Sequence, residues 1–497
     1  MIECKNYING DFAGYEGKRL EKRSPADIRE VVGTLPQSSE DEVNSAVDAA
    51  RGAFPSWRAL SRIARGVYLD KLVQILKRKK EPLAELITRE MGKGINEAMA
   101  DVIEGIHMVQ YVFGTSRMPF GDVVSSEIAE KDSFMRRKPK GVVAVIAPWN
   151  FPLAIPLWMI APSLAEGNTV VFKPSKESPC TAHRLAECIQ EAGIPPGVIN
   201  IVYGSGEKCG TPLVRHPDVS VVLFTGSSKV GQQVQKICAE STDKMCACEM
   251  GGKNAIIVLD DADMDLAVNA AVVSAYKTTG QRCTSASRII VHKSRLKEFE
   301  KKFVKMSQMI RIGNPLDPDV FTGPLINETQ LNKVLRYNQL ARDEGARVLL
   351  DGRRLSDGEL ENGYYLSPFV YRMTHRHDCR VLREEVFGPH VAVIPVKDLD
   401  QAIEVYNDTD FGLSCSVITE DFRKAREVRD RCEYGLGYVN LPTIGAEVHL
   451  PFGGVKKSGT GLPSASTLID VVTHRTAWTI NYAREIKMPQ GMKVDVK

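Results

Sequence analysis

Short apolar runs the length of single strands alternate along most of the chain with stretches whose apolar positions recur every three or four residues. Ahead of this alternation, Ser39-Glu40-Asp41-Glu42 has the form of a capping box, and Val43, Ala46, Val47, Ala50 and Phe54 follow at helical spacing. A helical layer is therefore expected first. From Val142 onward, Val142 to Ala147, Thr169 to Phe172, Ile199 to Val202, Val221 to Phe224 and Ala255 to Val258 read as strands separated by amphipathic helices. That texture predicts a parallel sheet covered on both faces. A second alternation follows Asp263, with strands expected at Arg288 to Val291, Val391 to Ile394, Cys415 to Ile418 and Gly437 to Val439. Two α/β domains result. No repeat, low-complexity segment or polar linker separates them, so pattern alone puts the boundary near Leu259.

The run from Gly141 to Ala165 is apolar and as long as a membrane helix. Pro148, Pro152, Pro156 and Pro162 remove amide donors and Asn150 adds a polar group. The pattern therefore predicts a buried strand, an irregular turn and a helix. Composition agrees with a globular protein: 497 residues, 43% hydrophobic and 26% charged, are enough for two or three domains with a large core. The 65 basic and 62 acidic residues nearly cancel and form no long block of one sign, which argues against nucleic acid or an anionic membrane and for a small-molecule partner. Met1-Ile2-Glu3-Cys4-Lys5-Asn6 carries an early acid and no apolar core of the signal-peptide kind, which points to the cytoplasm. The eleven cysteines are scattered and odd in number, so free thiols are expected.

Several segments have the residue types that chemistry needs. Phe224-Thr225-Gly226-Ser227-Ser228-Lys229-Val230-Gly231 follows an apolar strand and opens an amphipathic helix, where glycine and unpaired helix amides suit a phosphate. In isolation it reads more readily as the plain turn between a strand and a helix, since it is not the usual G-x-G-x-x-G fingerprint. Cys283 lies in a glycine-bearing turn, Thr279-Gly280-Gln281-Arg282-Cys283-Thr284, where a thiol is presented and where Arg282 and helix amides are expected to favour the thiolate. Cys246 and Cys248 form a C-x-C pair, but no second His or Cys cluster stands at zinc spacing, so no metal site is expected. Glu249 ends an apolar run before Gly251 and Gly252. Pro148-Trp149-Asn150-Phe151-Pro152 holds an amide between prolines, placed to donate to a developing oxyanion.

As a set, these residues resemble the aldehyde dehydrogenase superfamily from about Tyr7 to Tyr482. The matching motifs occur in family order: Pro148-Trp149-Asn150, Lys173-Pro174-Ser175, Phe224-Thr225-Gly226-Ser227, Glu249-Met250-Gly251-Gly252, Gly280-Gln281-Arg282-Cys283, Glu384-Glu385-Val386-Phe387-Gly388-Pro389 and Pro451-Phe452-Gly453-Gly454. The resemblance implies an α/β aldehyde dehydrogenase fold with three parts. They are a Rossmann-like dinucleotide-binding domain (1–124 and 140–259), an α/β catalytic domain (260–473), and a small β oligomerisation arm with a tail (125–139 and 474–497). It implies Cys283 as nucleophile, Asn150 with the Cys283 N–H as oxyanion donors, and Glu249 as general base, its pKa raised by apolar neighbours. Hydrolytic release rather than transfer to coenzyme A follows from Glu249. Trp149, Gly226 and Ser227 are implied at the pyrophosphate, Lys173 and Ser175 at the adenosine ribose, and Glu385 and Phe387 at the nicotinamide ribose. Many NAD-preferring relatives carry a glutamate where this chain has Lys176; an ammonium there attracts a 2′-phosphate, so NADP is expected ahead of NAD.

For the substrate, Asn440-Leu441-Pro442-Thr443-Ile444-Gly445-Ala446-Glu447 resembles the anchor loop of antiquitin-like enzymes, in which a Gly-Ala pair binds a distant carboxylate. Gly445 and Ala446 are thereby implied, with Glu104 matching an amine-binding carboxylate and Arg282 assisting an anionic end. A semialdehyde bearing a carboxylate is the expected substrate. Other segments look more like the 2-oxoglutarate semialdehyde branch. Ser125 to Pro139 and His474 to Tyr482 alternate charged and apolar residues as an exposed pairing strand does, so a homodimer or homotetramer is expected. A coenzyme A-acylating enzyme and an inactive structural protein on the same fold are the alternatives; retention of Cys283, Glu249 and Asn150 together argues against the second.

Overall fold

The computed structural model describes residues 1–492. After short N-terminal strands, four helices, Glu40–Ala59, Arg62–Arg78, Lys80–Met91 and Ile95–Thr115, form the expected helical layer. The first opens at Ser39, whose N–H donates to the Glu42 carboxylate at 2.8 Å and closes the capping box read from the sequence.

The first large sheet has eight strands and is built around the parallel set Met245–Glu249, Val219–Thr225, Val142–Ile146, Thr169–Lys173 and Ile199–Ile201, in that spatial order. Val219–Thr225, Val142–Ile146 and Thr169–Lys173 are rich in β-branched residues and largely buried on both faces, as central strands covered by helices on each side are. The apolar stretch that follows the strand Val142–Ile146 resolves into an irregular turn and the helix Ala154–Ala165, every residue of which is buried. Each Leu or Ile removed from water there contributes about 1.5–3 kcal/mol. Among the described residues no helix is long and apolar enough to cross a membrane.

The second sheet has seven strands, in the order Arg347–Leu350, Phe369–Arg372, His390–Val396, Ala286–His292, Asn254–Val258, Ser414–Ile418 and Leu436–Val439. One expectation is corrected here. The run Ala255 to Val258 pairs with Ala286–His292 and Ser414–Ile418, not with the first sheet, so the chain changes sheets at Gly251-Gly252 rather than near Leu259. It also returns: Gly459–Thr460 pairs with Met245–Glu249, and the helix Leu468–Val472 packs on Ala154–Ala165. The first layer thus reclaims residues that pattern gave to the second half.

Lys131–Pro139 pairs antiparallel with Thr473–Asn481 over nine residues, and Gly121–Val124 adds a third strand. This small sheet stands exposed, with Val123 at 90% and Trp478 at 58%. Residues 493–497 of the expected tail lie outside the described residues.

Candidate active site

The carboxyl ends of parallel strands are where an open α/β sheet leaves room for a ligand. Here Pro148-Trp149-Asn150 follows Val142–Ile146, Gly226-Ser227 follows Val219–Thr225, and Glu249 ends Met245–Glu249. A cleft of about 200 Å³ is lined by Trp149, Asn150, Gly226 and Ser227 from the first sheet's side and by Cys283, Glu385 and Phe387 from the second.

Cys283 is half-buried at this cleft, and the loop before it is under strain. Thr278 (φ 54°), Thr279 (φ 56°) and Gly280 (φ 69°) are successively left-handed, a conformation disfavoured for threonine. Hydrogen bonds hold it there. The Glu97 carboxylate accepts the Thr278 N–H at 3.0 Å and its hydroxyl at 2.7 Å, and the Thr279 hydroxyl donates to the Gly323 carbonyl at 2.9 Å. Downstream, the Asn254 amide donates to the Cys283 carbonyl at 2.6 Å and to that of Ser285 at 3.0 Å. Asn150, itself buried, donates to the Gln281 carbonyl at 3.1 Å, so the Cys283 loop and the Asn150 turn are tied together.

The expectation that Arg282 and helix amides would favour the resting thiolate is corrected by burial. Desolvation pushes the Cys283 thiol well up, Glu249 and Glu385 add to the rise, and the Thr284 N–H with Arg282 offsets it only in part. The resting thiol is therefore neutral and needs a base. Glu249 is 1% exposed, and neither of its carboxylate oxygens has a hydrogen-bond partner of good geometry among the described residues. Burial raises its carboxyl well above the ordinary range, opposed only by the Gly454 N–H. Gly453 and Gly459 make room for it: a Cβ at either would lie 3.2 or 3.0 Å from its Oε2.

The cofactor-side residues fall into two groups. Ser227 caps the eleven-residue helix Ser228–Cys238 without spending its side chain on the cap, which leaves hydroxyl and first-turn amides free to meet an anion. Opposite, Glu385 accepts the Gly252 N–H at 2.9 Å, while burial raises its carboxyl and Gly252, Lys333 and Lys253 pull it back. Phe387 is left-handed (φ 63°), packs edge-on against Trp149 at 5.7 Å, and is held by Gln330, whose amide donates to its carbonyl at 2.6 Å. These residues share the cleft. Lys173, Ser175 and Lys176 do not line it: Lys173 is buried with its ammonium on the Pro174 carbonyl at 2.9 Å, and exposed Lys176 lines a polar notch with Lys22, Arg23 and Glu177. Ser175 accepts the Glu177 N–H at 3.2 Å in the connecting turn.

On the opposite flank of Cys283, Arg282 is not the free cation the sequence suggested. It pairs with Glu97 at 2.6 Å, donates to the Thr278 hydroxyl at 2.8 Å and lies over the Phe151 ring. Glu104 is half-buried nearby, its carboxyl pushed up to about 8 by burial and by Asp101, with Arg282 and Lys93 opposing. Gly445 (φ 119°) is exposed. Ala446 packs against the same apolar cluster as Cys283 and Phe151, and Thr443 ties the loop to the Thr284 carbonyl at 2.7 Å.

Sequence reading missed Glu97, Asn254, Gln330 and Lys333. Only Glu97 left a signal, since it occupies the helix stripe shared with Ala98, Val102, Gly105 and Ile106, all buried.

Comparison with known proteins gives one consistent picture. The aldehyde dehydrogenase family profile matches residues 12–477. The chain is 39% identical over 456 residues to the alpha-ketoglutaric semialdehyde dehydrogenase of Bacillus subtilis, covering 92% of this chain and 93% of the relative. A point mutant of betaine aldehyde dehydrogenase from Staphylococcus aureus, solved with NAD+, superposes with a TM-score of 0.93 at 32% identity, covering 97% of this chain and 98% of that one. Another structure of the Staphylococcus aureus enzyme with NAD+ gives 0.93 at 31% identity, with 98% and 97% covered.

Proposed function

We propose, from the premise that the chain belongs to the aldehyde dehydrogenase family and is an NAD(P)-dependent oxidoreductase, that it oxidises a carboxylated semialdehyde to the corresponding acid through a thioester on Cys283. The observation that carries this reading is the meeting at one cleft of the Cys283 thiol and the Asn150 amide tied to its loop, beside the buried carboxyl of Glu249, which acts on that thiol.

The Cys283 thiol gives its proton to water in the cleft and its sulfur attacks the aldehyde carbon, forming a C–S bond while the carbonyl π bond breaks and its oxygen becomes an oxyanion that the Asn150 amide and the Cys283 N–H stabilise. A bound nicotinamide dinucleotide supplies the acceptor for the hydride that leaves that carbon. Glu249 then takes a proton from water, whose oxygen attacks the thioester and releases acid and thiol. Burial raises its carboxyl, the direction that makes its carboxylate a stronger base.

The residues present fit a dinucleotide. The helix N-terminus at Ser227 offers donors for a diphosphate, and Gly251 leaves the space in which a Cβ would meet Glu385 at 2.4 Å. Trp149, Gly226, Glu385 and Phe387 would hold one end, and Lys173, Ser175 and Lys176 the adenosine end. In the notch Lys22 pairs with Glu177 and Arg23 with Glu21, so the exposed ammonium of Lys176 is the group proposed to meet a 2′-phosphate, which supports NADP ahead of NAD. The relative's name supports the semialdehyde class, and the amides of Gly445 and Ala446 are the groups proposed to take the distant carboxylate, with Glu104 facing an amine where the substrate has one. The exposed sheet of Lys131–Pro139 and Thr473–Asn481 supports a homodimer or homotetramer.

Initial rates of NADP and NAD reduction, without coenzyme A, across carboxylated semialdehydes and simple aldehydes test this reading. It predicts the highest kcat/KM for NADP with a carboxylated semialdehyde. Equal rates with simple aldehydes and NAD would discard the substrate and phosphate refinements.

A further inference from the structure

Glu97 and Asp101 stand one turn apart on the helix Ile95–Thr115, so both point from the same face, and both are buried. A carboxylate in an apolar stripe is costly unless it is fully bonded. Glu97 is bonded entirely to the nucleophile loop: to the Thr278 N–H, the Thr278 hydroxyl and Arg282, at 3.0, 2.7 and 2.6 Å. These contacts grip the left-handed turn of Thr278, Thr279 and Gly280, which carries the chain from the helix Met264–Tyr276 to Cys283. Asp101 grips the other half of the site. It accepts the Ala154 N–H at 2.8 Å, at the start of the helix that follows Asn150, and pairs with Lys93 at 3.0 Å. The Phe151 ring, next to Asn150, lies under both the Lys93 ammonium (3.8 Å) and the Arg282 guanidinium (5.0 Å). One turn of one helix therefore holds both the thiol loop and the segment that carries the oxyanion donor.

We propose that Glu97, supported by Asp101, is a positioning residue: its bonds to Thr278 and Arg282 hold the strained turn that aims the Cys283 thiol at the Asn150 amide. The proposal rests on the reading of Cys283 as nucleophile. Glu97 also pairs with Arg282 at 2.6 Å and so offsets part of a charge that lowers the Cys283 thiol. Its removal thus has two separable effects: the turn loosens, and an uncancelled cation is left beside the sulfur.

The test uses the full chain with Glu97→Gln, Thr278→Val and Cys283→Ala, measuring kcat, dinucleotide affinity and the pH profile of Cys283 alkylation by iodoacetamide. For Glu97→Gln we expect kcat to fall about tenfold or more with dinucleotide Kd changed by less than about twofold, since a small misplacement of reacting groups is enough for such a loss. Alkylation should move the opposite way, its midpoint shifting to lower pH as the Arg282 charge is unmasked. A thiol more reactive toward a small alkylator yet less competent with aldehyde is a signature that a general loss of structure does not give. Thr278→Val, isosteric and lacking the hydroxyl, should show a smaller loss of kcat in the same direction, and it decides alone if the glutamine variant does not fold. An unchanged kcat and alkylation profile, or a kcat loss matched by an equal loss of dinucleotide binding, overturns the proposal. Cys283→Ala separates the two readings: inactivity there beside wild-type kcat in the Glu97 and Thr278 variants overturns only the role of Glu97, whereas turnover in Cys283→Ala overturns the nucleophile reading itself.

Discussion

A neutral thiol flanked by two carboxylates is a poor resting nucleophile, and Cys283 owes its competence to what surrounds it rather than to an intrinsically low pKa. Replacing it by Ala should reduce aldehyde oxidation by at least about 10³-fold, the scale of losing a covalent nucleophile. Dinucleotide binding, read by fluorescence titration, should survive. Glu249 makes a prediction of the opposite kind about stability. Its carboxyl titrates above 4.5 in the folded chain, so the folded state holds the proton more tightly than the unfolded one, and stability falls as pH rises from the ordinary value toward the raised one. Glu249→Gln should therefore raise Tm, and by more near pH 8 than near pH 5, because an amide escapes that charging cost. Thermal melts at the two pH values check the sign; a larger gain at the acid end would contradict it. At the adenosine end, Lys176→Glu should shift the kcat/KM ratio from NADP toward NAD by roughly 10- to 100-fold, as losing a charge-assisted hydrogen bond of about 1.5–3 kcal/mol implies.

Among the elements, those legible in the sequence are those whose chemistry is local. Most of the parallel strands announced themselves as short apolar runs, Met245–Glu249 with no β-branched residue being an exception, the capping box fixed the start of Glu40–Ala59, and the prolines between Gly141 and Ala165 turned a candidate membrane span into strand, turn and helix. Which sheet a strand joins is not local. Asn254–Val258 is as apolar as its predecessors, and only its pairing with Ala286–His292 and Ser414–Ile418 places it in the second sheet. The site divides in the same way. Cys283, Glu249 and Asn150 lie in contiguous motifs, whereas Gln330 and Lys333 reach the cleft from a helix whose sequence reads as ordinary amphipathic surface. Arg282 looked like a free cation because its partner, Glu97, stands 185 residues away. The turn at Gly251-Gly252, where the chain crosses between sheets, is itself open to test. Gly251→Ala puts a methyl 2.4 Å from a Glu385 oxygen, so KM for the dinucleotide should rise by about tenfold, with kcat at saturation less affected. An unchanged KM would mean that Glu385 does not hold the cofactor.

The whole molecule joins two α/β layers and an exposed three-stranded arm, the architecture it shares with the betaine aldehyde dehydrogenase structures. An arm that leaves Val123 and Trp478 in water is the surface proposed for association. Val123→Lys with Trp478→Glu should move the sedimentation coefficient to that of a monomer while leaving the secondary structure by circular dichroism unchanged. Retention of the larger species would move the interface elsewhere. Oxidation is proposed to pass through a thioester on Cys283 that Glu249 helps water to cleave. Mass spectrometry of Glu249→Gln mixed with aldehyde and dinucleotide tests it most directly, because general-base assistance is worth about 10²–10⁴-fold and its loss should strand the intermediate. The account predicts an acyl adduct mapped to the Cys283 peptide, formed with a burst of one reduced dinucleotide per active site. Steady turnover with no adduct, or an adduct on another residue, would contradict it.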